Sequence, residues 1–151
     1  MVAPSSCPMC PSAQPEMADA VVLGIRGGTE QQPTISYLER PAPVTTQLLA
    51  LANPVRPAEV FRFAARCEEG ACKHFDGADC RLATRIVNIL PAVVDSLPPC
   101  KIRQECRWYL QEGRPACLRC PQVVTELQQP TEEYRRAATP EAVDRRREAF
   151  A

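Results

Sequence analysis

The chain has 151 residues, with 18 Lys and Arg balancing 18 Asp and Glu, and nine cysteines against a single histidine. At this length one domain is expected, and with a formal net charge of zero nothing in the overall balance suggests a nucleic-acid partner. Sixteen prolines and 5% aromatic residues imply many turns and a modest core.

In chain order, the motif Cys7-Pro-Met-Cys10 leads into Ala20-Val-Val-Leu-Gly-Ile25, then Gly27-Gly28, then Thr34-Ile-Ser-Tyr-Leu38. Two short apolar runs rich in β-branched residues, joined through glycines, predict a β-hairpin with a long loop. A helix over 15–25 is the alternative. Thr45 or Thr46 is placed to cap a short helix through Leu48–Leu51 that ends before Pro54. Pro57 suits the first position of a helix through Ala64. Val60, Phe61 and Ala64 share its inner face at helical spacing, and this helix is expected to run into Cys67.

Arg81–Leu90 predicts a helix with Leu82, Ile86, Ile89 and Leu90 inward and Arg81 and Arg85 outward, stopped by Pro91. Pro98-Pro99 imposes an extended approach to Cys100. Ile102–Gln111 reads as a further helix, with Ile102, Cys106 and Tyr109 or Leu110 on one side, ended by Gly113 and Pro115. Residues 122–151 mix charges of both signs without an apolar stripe, the pattern of a charged helical or disordered tail. The expected fold class is therefore α+β. It comprises a small, irregular, metal-stabilised domain over 1–121, divided into a hairpin region (1–66) and a cysteine region (67–121), followed by the tail.

Residues 1–20 hold no Lys or Arg and no apolar run of signal-peptide length. No stretch reaches the length needed to span a bilayer. A cytoplasmic location without a membrane partner is the expectation, and disulfides are unfavoured there. An odd cysteine count also speaks against a closed disulfide framework.

The chemistry lies in the cysteine spacing. Seven cysteines fall in two groups, Cys67, Cys72 and Cys80, then Cys100, Cys106, Cys117 and Cys120. Thiolate-rich, histidine-poor ligation favours iron–sulfur clusters or all-cysteine zinc over oxygen-ligand metals. The second group supplies four thiolates from a short span, enough for a 4Fe–4S cluster or a zinc tetrahedron. The first group lacks a fourth ligand. Either His74 closes it, or Cys7 and Cys10 fold back to do so. His74 also has the plain reading of a surface or capping histidine.

Lys101, Arg103, Arg107, Arg114 and Arg119 surround the second group in sequence. Positive charge there lowers thiolate pKa and offsets an anionic centre. Trp108 and Tyr109 are candidates to shield a cluster from water, or simply core. The Cys117-x2-Cys120-Pro121 ending resembles the close of the bacterial ferredoxin motif, C-x2-C-x2-C-x3-C-P, over those few residues only. That resemblance implies cluster chemistry and no particular fold.

Phosphate-binding and dinucleotide-binding glycine patterns are absent, as is a persuasive nucleophilic triad. The radical-SAM spacing C-x3-C-x2-C is absent too. Independent catalysis is not expected. The leading expectation is a protein with two 4Fe–4S centres that exchanges electrons with a redox partner or enzyme subunit. A zinc- or cluster-stapled accessory module and an enzyme with an open-site cluster are the alternatives.

Overall fold

The protein is described here by a computed structural model covering residues 8–29, 32–123 and 131–140. A four-stranded antiparallel sheet in the order β1-β4-β2-β3 carries short helices on both faces. The expected hairpin is present: β2 (Val21–Gly28) pairs with β3 (Pro33–Pro43), Val21 opposite Pro43 and Gly28 opposite Pro33. The alternative helix over 15–25 is not formed, since Val21 to Ile25 lie in β2. A register shift between Val22 and Gly24 bends β2 against both neighbours. Gly24 is required there, because a Cβ would lie 2.6 Å from Ile35 Cγ2 and 2.7 Å from the Ser36 carbonyl oxygen.

Helix α1 (Thr46–Ala50) starts where the capping residue predicts, the Thr45 hydroxyl accepting the Leu48 amide at 3.1 Å. The helix expected from Pro57 is mostly a strand. Only α2 (Pro57–Val60) is helical, and β4 (Phe61–Arg66) then runs through the middle of the sheet. The reason is two-sided burial. Phe61, Phe63 and Ala65 enter one core with Val22, Ala13, Ala52 and Ala58, while Ala64 enters the other with Leu23, Ile86 and Trp108. A strand covered on both faces is apolar throughout, so period 2 is hidden and the run mimics a helical face.

The second core lies between the sheet and the helices beyond residue 80. Helix α3 (Arg81–Ile89) stops one residue before Leu90 and Pro91. Arg85 corrects the expectation that it faces out: it is 2% exposed, its Nε donating to the Ala137 carbonyl at 2.8 Å. That bond docks α6 (Glu132–Ala138) onto α3. Residues 144–148 of the predicted tail lie outside the described residues.

The single helix expected over 102–111 is divided. A 3-10 turn (Arg103–Glu105) precedes α4 (Arg107–Glu112), and the two are separated at Cys106, whose backbone is extended. Cys106 forms a parallel bridge with Met9, a pairing a helical residue cannot make. Gly113, at φ +76°, turns the chain directly into α5 (Arg114–Arg119), with Pro115 in its first turn. Proline thus opens a second helix where it was expected only to close the first. Among the described residues no helix is long and apolar enough to cross a membrane.

Candidate metal centres

The strand β1 (Met9–Cys10) organises the cysteine region. It pairs with the end of β4, Met9 opposite Arg66 and Cys10 opposite Ala65, and the Cys67 amide donates to the Pro8 carbonyl at 2.8 Å. This sets Cys10 beside Cys67. Cys72 and Cys80 complete the surroundings: the four line one cavity, and Cys10 lies within the electrostatic reach of the other three. Cys80 is held just before α3 by Gln111, whose Oε1 accepts the Cys80 amide at 2.7 Å and whose Nε2 donates to the Cys80 carbonyl at 2.8 Å.

Cys100, Cys106, Cys117 and Cys120 line a second cavity with Tyr37, Arg103 and Trp108. Each of Cys100, Cys106 and Cys117 feels the charge of Cys120. The eight described cysteines therefore fall into two groups of four. No disulfide links them to one another. Cys7 lies outside the described residues. The fourth cysteine lining the first cavity is Cys10, one of the candidates that the sequence left open beside His74, which lines it too.

His74 lines the same cavity, with its ring engaged by Arg85. Its Nδ1 lies 2.6 Å from Arg85 Nη2. A guanidinium has no acceptor, so Nδ1 accepts and the proton sits on Nε2. Its backbone amide does face the group, 3.5 Å from Cys72 Sγ.

Burial pushes the thiol pKa upward at Cys80, Cys100, Cys106 and Cys117, and takes Cys10 up to about 12. The thiolates of each group raise one another further. Opposing this are the amides of Ser12 at Cys10, Leu82 and Ala83 at Cys80, Ile102 at Cys100, and Trp108 and Tyr109 at Cys106. Guanidinium groups add to them. Arg107 hydrogen-bonds Cys67, Arg103 hydrogen-bonds Cys117, and Arg62 Nη2 donates to Cys120 Sγ at 3.0 Å. Of the five cations noted in sequence, Arg103 serves the second group and Arg107 the first. Arg114 donates to the Asp95 carbonyl, Arg119 to those of Leu90 and Pro115, and Lys101 is exposed.

Arg62 is the feature that the sequence reading missed. It is 1% exposed and spends its donors on the Pro11, Cys120 and Val123 carbonyls as well as on Cys120 Sγ. Its guanidinium also lies 5.7 Å from the Trp108 ring centroid. The signal was an arginine between two phenylalanines in an otherwise apolar run. Such a charge is tolerated in a core only if something anionic meets it.

Trp108 is 1% exposed and lines both cavities, and its Nε1–H is a buried donor without an acceptor among the described residues. Tyr109 is half-buried under Arg103, 6.0 Å from ring centroid to guanidinium, and lines neither cavity. A shielding position is therefore open to Trp108 and not to Tyr109.

Each cavity thus has four cysteines, two buried and two half-buried, with amide and guanidinium donors at sulfur and the Trp108 indole on its wall. Among the described residues, no group of three or more His, Cys, Asp or Glu side chains that could hold a metal ion is formed, so the expected metal stabilisation of the fold is not shown. No family model, no curated protein and no solved structure matches the chain.

Proposed function

We propose that the protein carries two 4Fe–4S centres, ligated by Cys10, Cys67, Cys72 and Cys80 and by Cys100, Cys106, Cys117 and Cys120, and exchanges electrons with a protein partner. The observation that carries this is the sorting of eight cysteines into two cavities of four, two buried and two half-buried in each. An all-cysteine donor set suits an iron–sulfur cluster or an all-cysteine zinc site over oxygen-ligand metals, and metal content separates the two.

When bound, such clusters supply reversible one-electron chemistry. The chain's own residues do the rest. The cysteines anchor, the amides and guanidinium groups stabilise negative charge on sulfur, and Trp108 and the apolar lining exclude water. With Cys10 completing the first group, no iron is left short of a protein ligand, which favours a carrier over an open-site enzyme.

Anaerobic purification followed by iron, sulfide and zinc analysis tests the reading. About eight irons and eight sulfides per chain are expected, with visible absorbance that bleaches under dithionite. A colourless protein holding zinc would refute it and leave a zinc-stapled accessory module.

A further inference from the structure

The two cysteine groups differ in the charge that faces them. At the first group Arg107 reaches Cys67, but its Nη2 is already 2.5 Å from the Glu69 carboxylate, so its charge is largely met. At the second group two guanidinium groups reach sulfur, Arg62 to Cys120 and Arg103 to Cys117. Among the described residues neither has a carboxylate partner. Arg62 bonds carbonyl oxygens and sulfur, and Arg103 Nη2 donates to the Pro98 carbonyl.

We propose that Arg62 makes the second centre the more oxidising of the two, so that an electron delivered to the first centre moves to the second and is held there. This rests on the iron–sulfur reading above. The physical reason is that reduction adds one negative charge to an already anionic centre. An uncompensated buried cation in contact with a ligand sulfur stabilises that added charge more than a cation already neutralised by a carboxylate does. Water in the larger first cavity, about 470 Å³ against about 20 Å³ for the second, acts in the opposite direction. The contact charge outweighs it, because Arg62 sits in the low-dielectric interior, where screening is weakest.

The electron balance is simple. A protein one-electron donor is oxidised as the first centre is reduced. The first centre is then reoxidised as the second is reduced, and no bond to hydrogen or carbon changes. Trp108, which lines both cavities, fills the space between the two groups.

The test is a potentiometric titration of the anaerobically purified protein followed by electron paramagnetic resonance and visible absorbance. The waves are assigned with a Cys72→Ser variant that lacks the first centre. Two waves are expected, the higher belonging to the second centre. Arg62→Gln should lower that wave by at least a tenfold change in reduction equilibrium, 59 mV for a one-electron couple, and leave the first in place. Glu69→Gln acts at a partly exposed surface and decides the matter even if Arg62→Gln does not fold. By releasing Arg107 from its carboxylate it should raise the first wave alone. Two waves that neither variant moves, or a second centre below the first, overturn the proposal while leaving the clusters in place. Absence of iron refutes the underlying reading instead.

Discussion

Replacing Trp108 by Phe separates a metal-loaded core from a metal-free one. The indole is 1% exposed and its Nε1–H has no acceptor among the described residues. Leaving a buried donor unpaired costs about 1–3 kcal/mol. The substitution removes that donor, and with it roughly 40 Å² of apolar ring surface, about 1 kcal/mol at ~25 cal/mol per Å². In the metal-free chain the two effects nearly cancel, so Trp108→Phe should stay within about 1 kcal/mol of its metal-free parent. On the proposed reading, cluster sulfur accepts the N–H in the loaded protein. The variant then loses a hydrogen bond to a charged group, about 1.5–3 kcal/mol, in addition to the ring surface, roughly 2.5–4 kcal/mol in all. Anaerobic guanidinium unfolding, followed by far-ultraviolet circular dichroism and by cluster absorbance, measures both midpoints. Equal destabilisation of the two forms would refute the assignment of Trp108 to the cluster wall.

The grouping of the cysteines predicts a pattern in metal content: Cys10→Ser should halve the iron, Cys10→Ser with Cys72→Ser should lower it no further, and Cys10→Ser with Cys117→Ser should abolish it. Iron analysis of the purified variants checks this, and an undiminished iron content in Cys10→Ser would remove Cys10 from the first centre. The metal-free chain should lose stability in alkali. Burial holds Cys10, Cys80, Cys100, Cys106 and Cys117 protonated in the fold, Cys10 up to about 12, whereas thiols in the unfolded chain ionise near 9.0. Above pH 9 the folded state thus binds more protons than the unfolded one. Stability is complete below that pH and falls as pH rises, by ~1.4 kcal/mol per pH unit for each such thiol. For Cys10 the loss continues to about pH 12. Denaturant midpoints of the metal-free and loaded proteins between pH 8 and 10 check it; the loaded form, with thiolates already deprotonated, should show no such slope.

Local chemistry was legible in the sequence wherever a residue acts on its near neighbours. Thr45 capped its helix, and Pro91 closed α3 within two residues. The β-branched runs around Gly27-Gly28 formed their hairpin. The second cysteine group was legible because all four members lie between residues 100 and 120. What tertiary structure alone decided concerns residues that meet partners far along the chain. Phe61–Arg66 became a strand because β1 and β2 flank it and both of its faces are covered, which erases the period-2 pattern. Cys106 broke a helix to pair with Met9. Cys10 was placed beside Cys67 by the pairing of β1 with β4, and Arg85 was drawn inward by a helix some fifty residues later. The electrostatics followed the same rule. Arg62 reads in sequence as one arginine among many, and its meaning comes from Pro11, Cys120 and Val123, which only the fold brings around it. Burial and like-charge crowding are sums over neighbours in space, and spacing along the chain carries that information only when the neighbours are close in sequence.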